Sequence, residues 1–147
     1  MVKPFLGART KTIPKYFDAV LSELSQKPEL VLLHVGTNDI RDGTSAGKIK
    51  DHFRTVVNYF KSLSIKVVIS MVICRNGDWA DKVTPVNHKL IELCNELDLC
   101  CSGNENINVD HLNPSKYHLH RGGSEALAKN FAQTIRHLYE NSRYINY

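Results

Sequence analysis

Two short apolar runs are the feature that most restricts how this chain can fold. Residues 30–33 (Leu-Val-Leu-Leu) and 67–73 (Val-Val-Ile-Ser-Met-Val-Ile) have the length and composition of strands buried on both faces of a sheet. Between them, residues 45–62 place apolar side chains at helical spacing, which predicts an amphipathic helix. Strands that alternate with helices indicate parallel βαβ units joined by right-handed crossovers. The sequence therefore predicts an α/β protein with a mostly parallel sheet.

The same alternation continues towards both ends of the chain. Helix-start signals and further short apolar segments recur without an internal repeat or a low-complexity tract, so we expect one domain over residues 1–147. The predicted helix starts are Thr12-Ile13-Pro14, Thr84-Pro85 and Gly123-Ser124, and the predicted short strands are residues 2–5 and 99–101.

The tetrapeptide Gly36-Thr37-Asn38-Asp39 follows the first apolar run closely, and it is the first candidate for a functional site. Open α/β sheets bind ligands at the carboxyl ends of their strands. Gly36 allows the backbone to approach a bound group, and the Asn38 amide has two N–H donors that can point at a developing oxyanion. The same residue types also form ordinary Asx turns. An active-site turn and a plain turn therefore both remain open.

Composition excludes several classes of protein. The net charge of +4 is spread along the chain without a basic stripe, so at most weak binding to nucleic acid is expected. No apolar stretch is long enough for a membrane span, and the first residues lack the apolar core of a signal peptide. The 4 cysteines form no Cys-x-x-Cys pair, which favours reduced thiols and a cytoplasmic location. No cofactor is expected.

Residues 33–40 resemble the third conserved block, Gly-x-Asn-Asp, of the SGNH (GDSL-like) hydrolase superfamily. Residues 5–10 (Phe-Leu-Gly-Ala-Arg-Thr) are similar to the second block, and residues 115–123 to the last block, Asp-x-x-His followed by a glycine. The resemblance runs from about residue 2 to about residue 138. It implies a three-layer α/β/α sandwich with an SGNH/flavodoxin-like, mostly parallel sheet. The activity it implies is hydrolysis of carboxylic or acetyl esters.

The resemblance also assigns roles to individual residues. His118 is placed as the catalytic base, and Gly7, Gly36 and Asn38 as the oxyanion hole. The position of the triad acid is Ser115, which carries no charge. The family's serine nucleophile lies in a Gly-Asp-Ser tripeptide at the end of the first strand, and this tripeptide does not occur in the sequence. We therefore expect the first strand to be missing, the domain to be truncated at its N-terminus, and the chain to be an inactive pseudoenzyme.

A narrower resemblance is to the esterase-like domain in the first open reading frame of LINE-type retrotransposons. It rests on residues 5–8, 34–39, 112–119 and 127–131. It implies an alternative function, a non-catalytic binding or assembly module. In the family topology the absent strand lies within the sheet, so an open sheet edge and self-association are expected. If the chain is active, its expected partner is a small-molecule, carbohydrate or lipid ester.

Other polar residues have alternative interpretations. Zinc ligation by the histidines near residue 118 is considered, but their spacing matches no known zinc motif, and no metal site is predicted. The loop at residues 75–79 either lines a cleft or is a hydrated loop, with Trp79 favoured as a packing anchor. The remaining assignments are His34 on a strand face, Asn87 in a structural role and His120 on the surface; the zinc ligands considered are His111, His118 and His120 with Cys100, Cys101 or Asp110.

Overall fold

The computed structural model describes residues 1–77, 79–114 and 118–145, without the side chains of 141–145. Helices and strands alternate along these residues. The strands are β1 (Leu30–Leu33), β2 (Lys66–Ser70) and β3 (Cys100–Ser102); the helices are α1 (Ile13–Leu21), α2 (Thr37–Arg41), α3 (Ala46–Ser62), α4 (Val83–Leu97) and α5 (Arg121–Ile145); short 3-10 turns cover Thr10–Thr12, Ala80–Lys82 and Val109–His111.

The sheet is parallel, and its strands lie in the order β1-β2-β3. Leu30 pairs with Lys66 across the first strand pair, and Val68 pairs with Cys100 across the second. A parallel connection needs a crossover, and α3 and α4 provide the two crossovers. The predicted α/β class is therefore confirmed. Among the described residues no strand pairs with the free side of β1, so β1 forms one edge of the sheet.

Helices cover both faces of the sheet and complete three layers. On one face, buried side chains of α3 and α4 pack against Val67 and Ile69 of β2. On the other face, α5 reaches the sheet through Phe131, whose ring meets that of His34 at a centroid distance of 5.6 Å. Successive β2 side chains alternate between these faces, so the apolar run predicted as a buried strand fills both layers.

Two predicted elements at the N-terminus differ from the structure. Residues 2–5 form no strand; instead, the Phe5 ring stacks on Tyr16 of α1 at 4.8 Å. The Thr12 side chain does not cap α1, because its hydroxyl accepts a bond from the Arg9 N–H and donates to the Arg9 carbonyl. Local contacts with α1 and within the preceding turn therefore replace the predicted strand and cap.

The other predicted elements agree with the structure to within a few residues. Ser45 caps α3 by accepting a bond from the Lys48 N–H at 3.2 Å. β2 ends at Ser70, earlier than predicted, because the Asn87 side chain bonds both the N–H and the carbonyl of Val72, at 2.8 and 2.9 Å. Asn87 thus has the predicted structural role.

Within the described ranges, no helix has both the length and the apolar character needed to cross a membrane.

Candidate functional site at the carboxyl edge of the sheet

The segment after β1 begins a short helix and is not a simple turn. Gly36 precedes α2, and its carbonyl accepts the Ile40 N–H at 3.0 Å. Its φ of +124° is strained for any residue with a side chain, and an added Cβ would lie 3.1 Å from Val72 Cγ2. Core packing therefore requires glycine here. Its predicted role in an oxyanion hole depends on its backbone N–H alone.

The first two motifs are held together by side chains of α2. Asn38 Nδ2 donates to the Ala8 carbonyl at 3.0 Å. Asp39, which is 2% exposed, accepts bonds from both the N–H and the hydroxyl of Thr10, each at 3.0 Å. One Asn38 N–H is thus used to hold the 7–10 loop, and the amide has a second N–H to offer. Gly7, with φ of +73°, lies in an exposed turn beside Ala8.

His118 lies on the loop that connects β3 to α5. Its carbonyl accepts the Asn113 N–H at 2.7 Å, and the neighbouring residues Leu112 and Leu119 form an antiparallel bridge. His118 is exposed. Because this loop follows β3, and residues 36–38 follow β1, both lie at the carboxyl edge of the parallel sheet. Ser115, the predicted position of the triad acid, lies outside the described residues, so that assignment stays a prediction.

His120 has a role that the sequence interpretation missed. Its Nδ1 accepts the Gly123 N–H at 3.1 Å, and its Nε2 donates to the Asp110 carbonyl at 2.8 Å. It therefore caps the first turn of α5, three residues before the donor, which is the spacing of an N-cap. His111 Nδ1 likewise accepts a backbone bond, from Asn108 at 3.1 Å. In the described part of the chain no group of three or more His, Cys, Asp or Glu residues is arranged to hold a metal ion.

A buried polar network links the strands to α5 below this edge. Asn104 donates to Ser70 Oγ at 2.9 Å and to the Met71 carbonyl at 2.7 Å, and Asn130 on α5 donates to Asn104 Oδ1 at 2.9 Å. Ser70 Oγ also lies 2.9 Å from His34 Nδ1. Because Ser70 accepts from Asn104, its hydroxyl hydrogen is free to donate to His34. Buried polar groups need such partners, and the network connects α5 to the sheet and to the loops at its carboxyl edge.

The Ser70–His34 pair has the composition of a nucleophile and its base, but its environment opposes that role. Ser70 is completely buried. The His34 residue keeps an exposed part, yet burial of its ring, and then the charge of Arg75, lower its pKa to about 4. A base with so low a pKa removes a proton poorly at neutral pH. The pair is therefore structural. The prediction that His34 lies on a strand face is wrong by one residue, because β1 ends at Leu33 and His34 directly follows it.

The loop after β2 brings a half-buried positive charge, that of Arg75, to the same edge. Arg75 Nε and Nη1 are buried and have no hydrogen-bond partner among the described residues. The neighbouring Cys74 thiol donates to the Ile107 carbonyl at 3.4 Å, and burial raises its pKa. Trp79 packs partly buried against the core, as predicted for an anchor.

A cavity of about 350 Å³ lies at the opposite edge of the sheet, where the strands begin, away from the motif residues.

Comparison of the sequence with protein-family models and with curated proteins finds no match. Solved structures are similar to it in fold. A psychrotrophic esterase, EstA from Pseudoalteromonas sp., superposes with a TM-score of 0.74 at 12% identity, over 91% of this chain and 74% of that chain. A carbohydrate esterase family 3 protein from Talaromyces cellulolyticus gives a TM-score of 0.76 at 18% identity, over 92% and 70%.

A GDSL-like lipase from Bacteroides thetaiotaomicron is similar as well, with a TM-score of 0.73 at 17% identity, over 90% of this chain and 73% of that chain. Identities this low establish a common fold and nothing finer. The chain therefore has an SGNH hydrolase-like α/β/α fold, as its three short motifs predicted.

Proposed function

We propose that this chain is an SGNH hydrolase-like domain that keeps the oxyanion-binding part of an ester-hydrolase site and does not hydrolyse esters by itself. The observation that carries the proposal is the hydrogen bond from Asn38 to the Ala8 carbonyl, which joins two separate motifs at the carboxyl edge. The sequence, in turn, contains no Gly-Asp-Ser tripeptide. The domain is proposed to span residues 1–147 and to work in the cytoplasm.

The chemistry follows from what each group can do. The Gly7 and Gly36 N–H groups and the Asn38 amide donate to the oxyanion that forms when an ester carbonyl is attacked. In an active hydrolase of this type, a histidine at the position of His118 takes the proton of the attacking serine hydroxyl and returns it to the leaving alcohol. Because the sequence contains no Gly-Asp-Ser nucleophile block, this chain is proposed to form no acyl-enzyme. Oxyanion donors and binding alone leave roughly 10³-fold to 10⁴-fold acceleration over water.

The proposed ligand class is a carboxylic or acetyl ester of a small molecule, a carbohydrate or a lipid. This ligand class is supported by the fold that the chain shares with the esterases and the lipase described above. A shared fold is an analogy, and it indicates only the class of chemistry.

The alternative is a non-catalytic binding or assembly module of the kind found in LINE-type retrotransposons. The observation that favours it is the side of β1 that no described strand covers, where Leu30, Val31 and Leu32 are only half-buried. Unpaired strand edges template association with another chain. This alternative predicts self-association through β1. Sedimentation of the purified chain over a range of concentrations would measure it.

The experiment that tests the proposal is hydrolysis of p-nitrophenyl acetate by the purified chain. His118→Ala and Asn38→Ala are compared with His88→Ala, which removes an exposed histidine of α4. We expect no saturable turnover in any protein, and no serine labelled by a fluorophosphonate in the intact mass. Turnover that persists in His88→Ala but disappears in the two site variants would show that the chain is an active hydrolase.

A further inference from the structure

Arg75 is a half-buried charge for which the proposed ester chemistry has no use. It follows the extended segment after β2, at the carboxyl edge of the sheet. Its Nε and Nη1 are buried and have no acceptor among residues 1–77, 79–114 and 118–140. A guanidinium stays protonated in proteins, so the charge cannot be removed by deprotonation. A buried charge with unmade hydrogen bonds is costly unless some group supplies an acceptor.

The described neighbours of Arg75 do not balance this charge. His34 is neutral, because ring burial and the charge of Arg75 itself lower its pKa. The Cys74 thiol donates to the Ile107 carbonyl, and burial raises its pKa, which disfavours the thiolate. The buried carboxylate on this edge, that of Asp39, already accepts two bonds from Thr10. The described neighbours of Arg75 therefore leave Nε and Nη1 without an acceptor, and an anion from outside the chain would supply one.

We propose that Arg75 binds the carboxylate of a small organic acid at the carboxyl edge of the sheet. A planar guanidinium donates to both oxygens of a carboxylate, the geometry for which arginine is preferred over lysine. A monocarboxylate balances the single charge of Arg75, whereas a phosphate dianion would leave an unbalanced negative charge in a partly dry site. The inference goes beyond the proposed function, because equilibrium binding of an acid requires neither a nucleophile nor turnover.

The test is a titration of the full chain with sodium butyrate at constant ionic strength. Trp79, the single tryptophan of the sequence, lies four residues from Arg75 and reports both binding and thermal unfolding by its fluorescence. We expect a saturable rise in Tm with butyrate, and none with butyramide or chloride, because a ligand that binds only the folded state stabilises it. Sodium phosphate should act more weakly than butyrate.

Variants decide whether Arg75 is the site. Arg75→Gln should abolish the butyrate response, and Arg75→Lys should weaken binding about tenfold or more, since lysine lacks the planar fork. Arg54→Gln is the matched control: it removes the same charge, from a surface pair with Glu96, and should keep the response.

Stability without butyrate gives an independent readout. Arg75→Met should unfold at a higher temperature than the wild type, because it replaces a buried unpaired charge with an apolar chain. The proposal is overturned if the wild type shows no saturable response, if Arg75→Gln responds like Arg54→Gln, or if phosphate binds as tightly as butyrate. A destabilised Arg75→Met would also overturn it, since the guanidinium would then have its partner within the chain.

Discussion

The hydrogen bond between Thr10 and Asp39 offers a direct measure of how strongly the 7–10 loop is held to α2. Thr10 is completely buried, Asp39 is 2% exposed, and the hydroxyl of Thr10 donates to the carboxylate at 3.0 Å. Thr10→Val removes this bond and keeps the shape of the side chain. Because a hydrogen bond to a charged acceptor contributes about 1.5–3 kcal/mol, we expect a loss of roughly 2 kcal/mol in the free energy of unfolding.

In a domain of this size, a change of that magnitude corresponds to a decrease in Tm of roughly 4–8 °C. Urea unfolding followed by Trp79 fluorescence and by far-UV circular dichroism measures it. Thr10→Ser keeps the hydroxyl and should recover most of the loss. Thr55→Val is the matched control, because the Thr55 hydroxyl donates to a backbone carbonyl on the exposed surface of α3, and its removal should cost less than about 0.5 kcal/mol.

A double-mutant cycle with Asp39→Asn isolates the interaction between the two side chains. We expect a coupling energy of about 1–2 kcal/mol, because the two residues share a buried bond. If the two single substitutions are additive to within about 0.3 kcal/mol, or if Thr10→Val costs no more than Thr55→Val, the bond does not hold the loop to α2. In that case the close approach of the two motifs would have another cause.

Three further predictions test other parts of the site. Gly36→Ala should lower the free energy of unfolding by about 2 kcal/mol or more, because the φ of Gly36 is +124° and a core methyl lies 3.1 Å from the added Cβ. The control is Gly47→Ala, in a helix with open space around the added Cβ, which should be neutral or stabilising. Equal urea midpoints for the two variants would contradict this prediction. Asn130→Ala leaves the buried Asn104 Oδ1 without a donor, whereas the Oδ1 of the exposed Asn106 can turn to water, and we expect a cost of about 1–3 kcal/mol. A urea-measured loss below about 0.5 kcal/mol would show that the network contributes little. The folded state lowers the pKa of His34 from 6.5 to about 4, so the unfolded chain binds the extra proton and stability falls as pH decreases from 6.5 to 4. His34→Gln should remove about 1 kcal/mol of that fall, a value reduced because the residue is partly solvated, and an unchanged pH profile would refute it.

The sequence predicted the repeating strand and helix pattern because that pattern depends on local spacing. The apolar run at 67–73 and the amphipathic segment at 45–62 became β2 and α3 with only small changes in their ends. The predicted strand at residues 2–5 was wrong, because a short segment with one aromatic ring packs wherever a partner is near, and that partner is Tyr16. The end of β2 depends on the Asn87 side chain, fifteen residues away from Val72.

In the candidate site, too, the sequence predicted some features and the tertiary structure decided the others. The resemblance identified Gly7, Gly36, Asn38 and His118 as belonging together, and the structure supplies the Asn38 bond that joins the first two motifs. Their catalytic roles, and that of Ser115, stay predictions. The polar network went unnoticed, because nothing in the sequence distinguishes Asn104 or Asn130 from ordinary surface residues.

The sequence by itself determined the parallel α/β architecture, the order of the elements and the edge of the sheet at which chemistry is expected, because hydrophobic periodicity and motif spacing are local properties. Only the tertiary structure decided which polar groups are buried and whether each one finds a partner. Asp39 finds its partner in Thr10, and Ser70 in Asn104, whereas Arg75 finds none among the described residues. Burial and pairing depend on contacts between distant segments, and the energy of a charge depends on both.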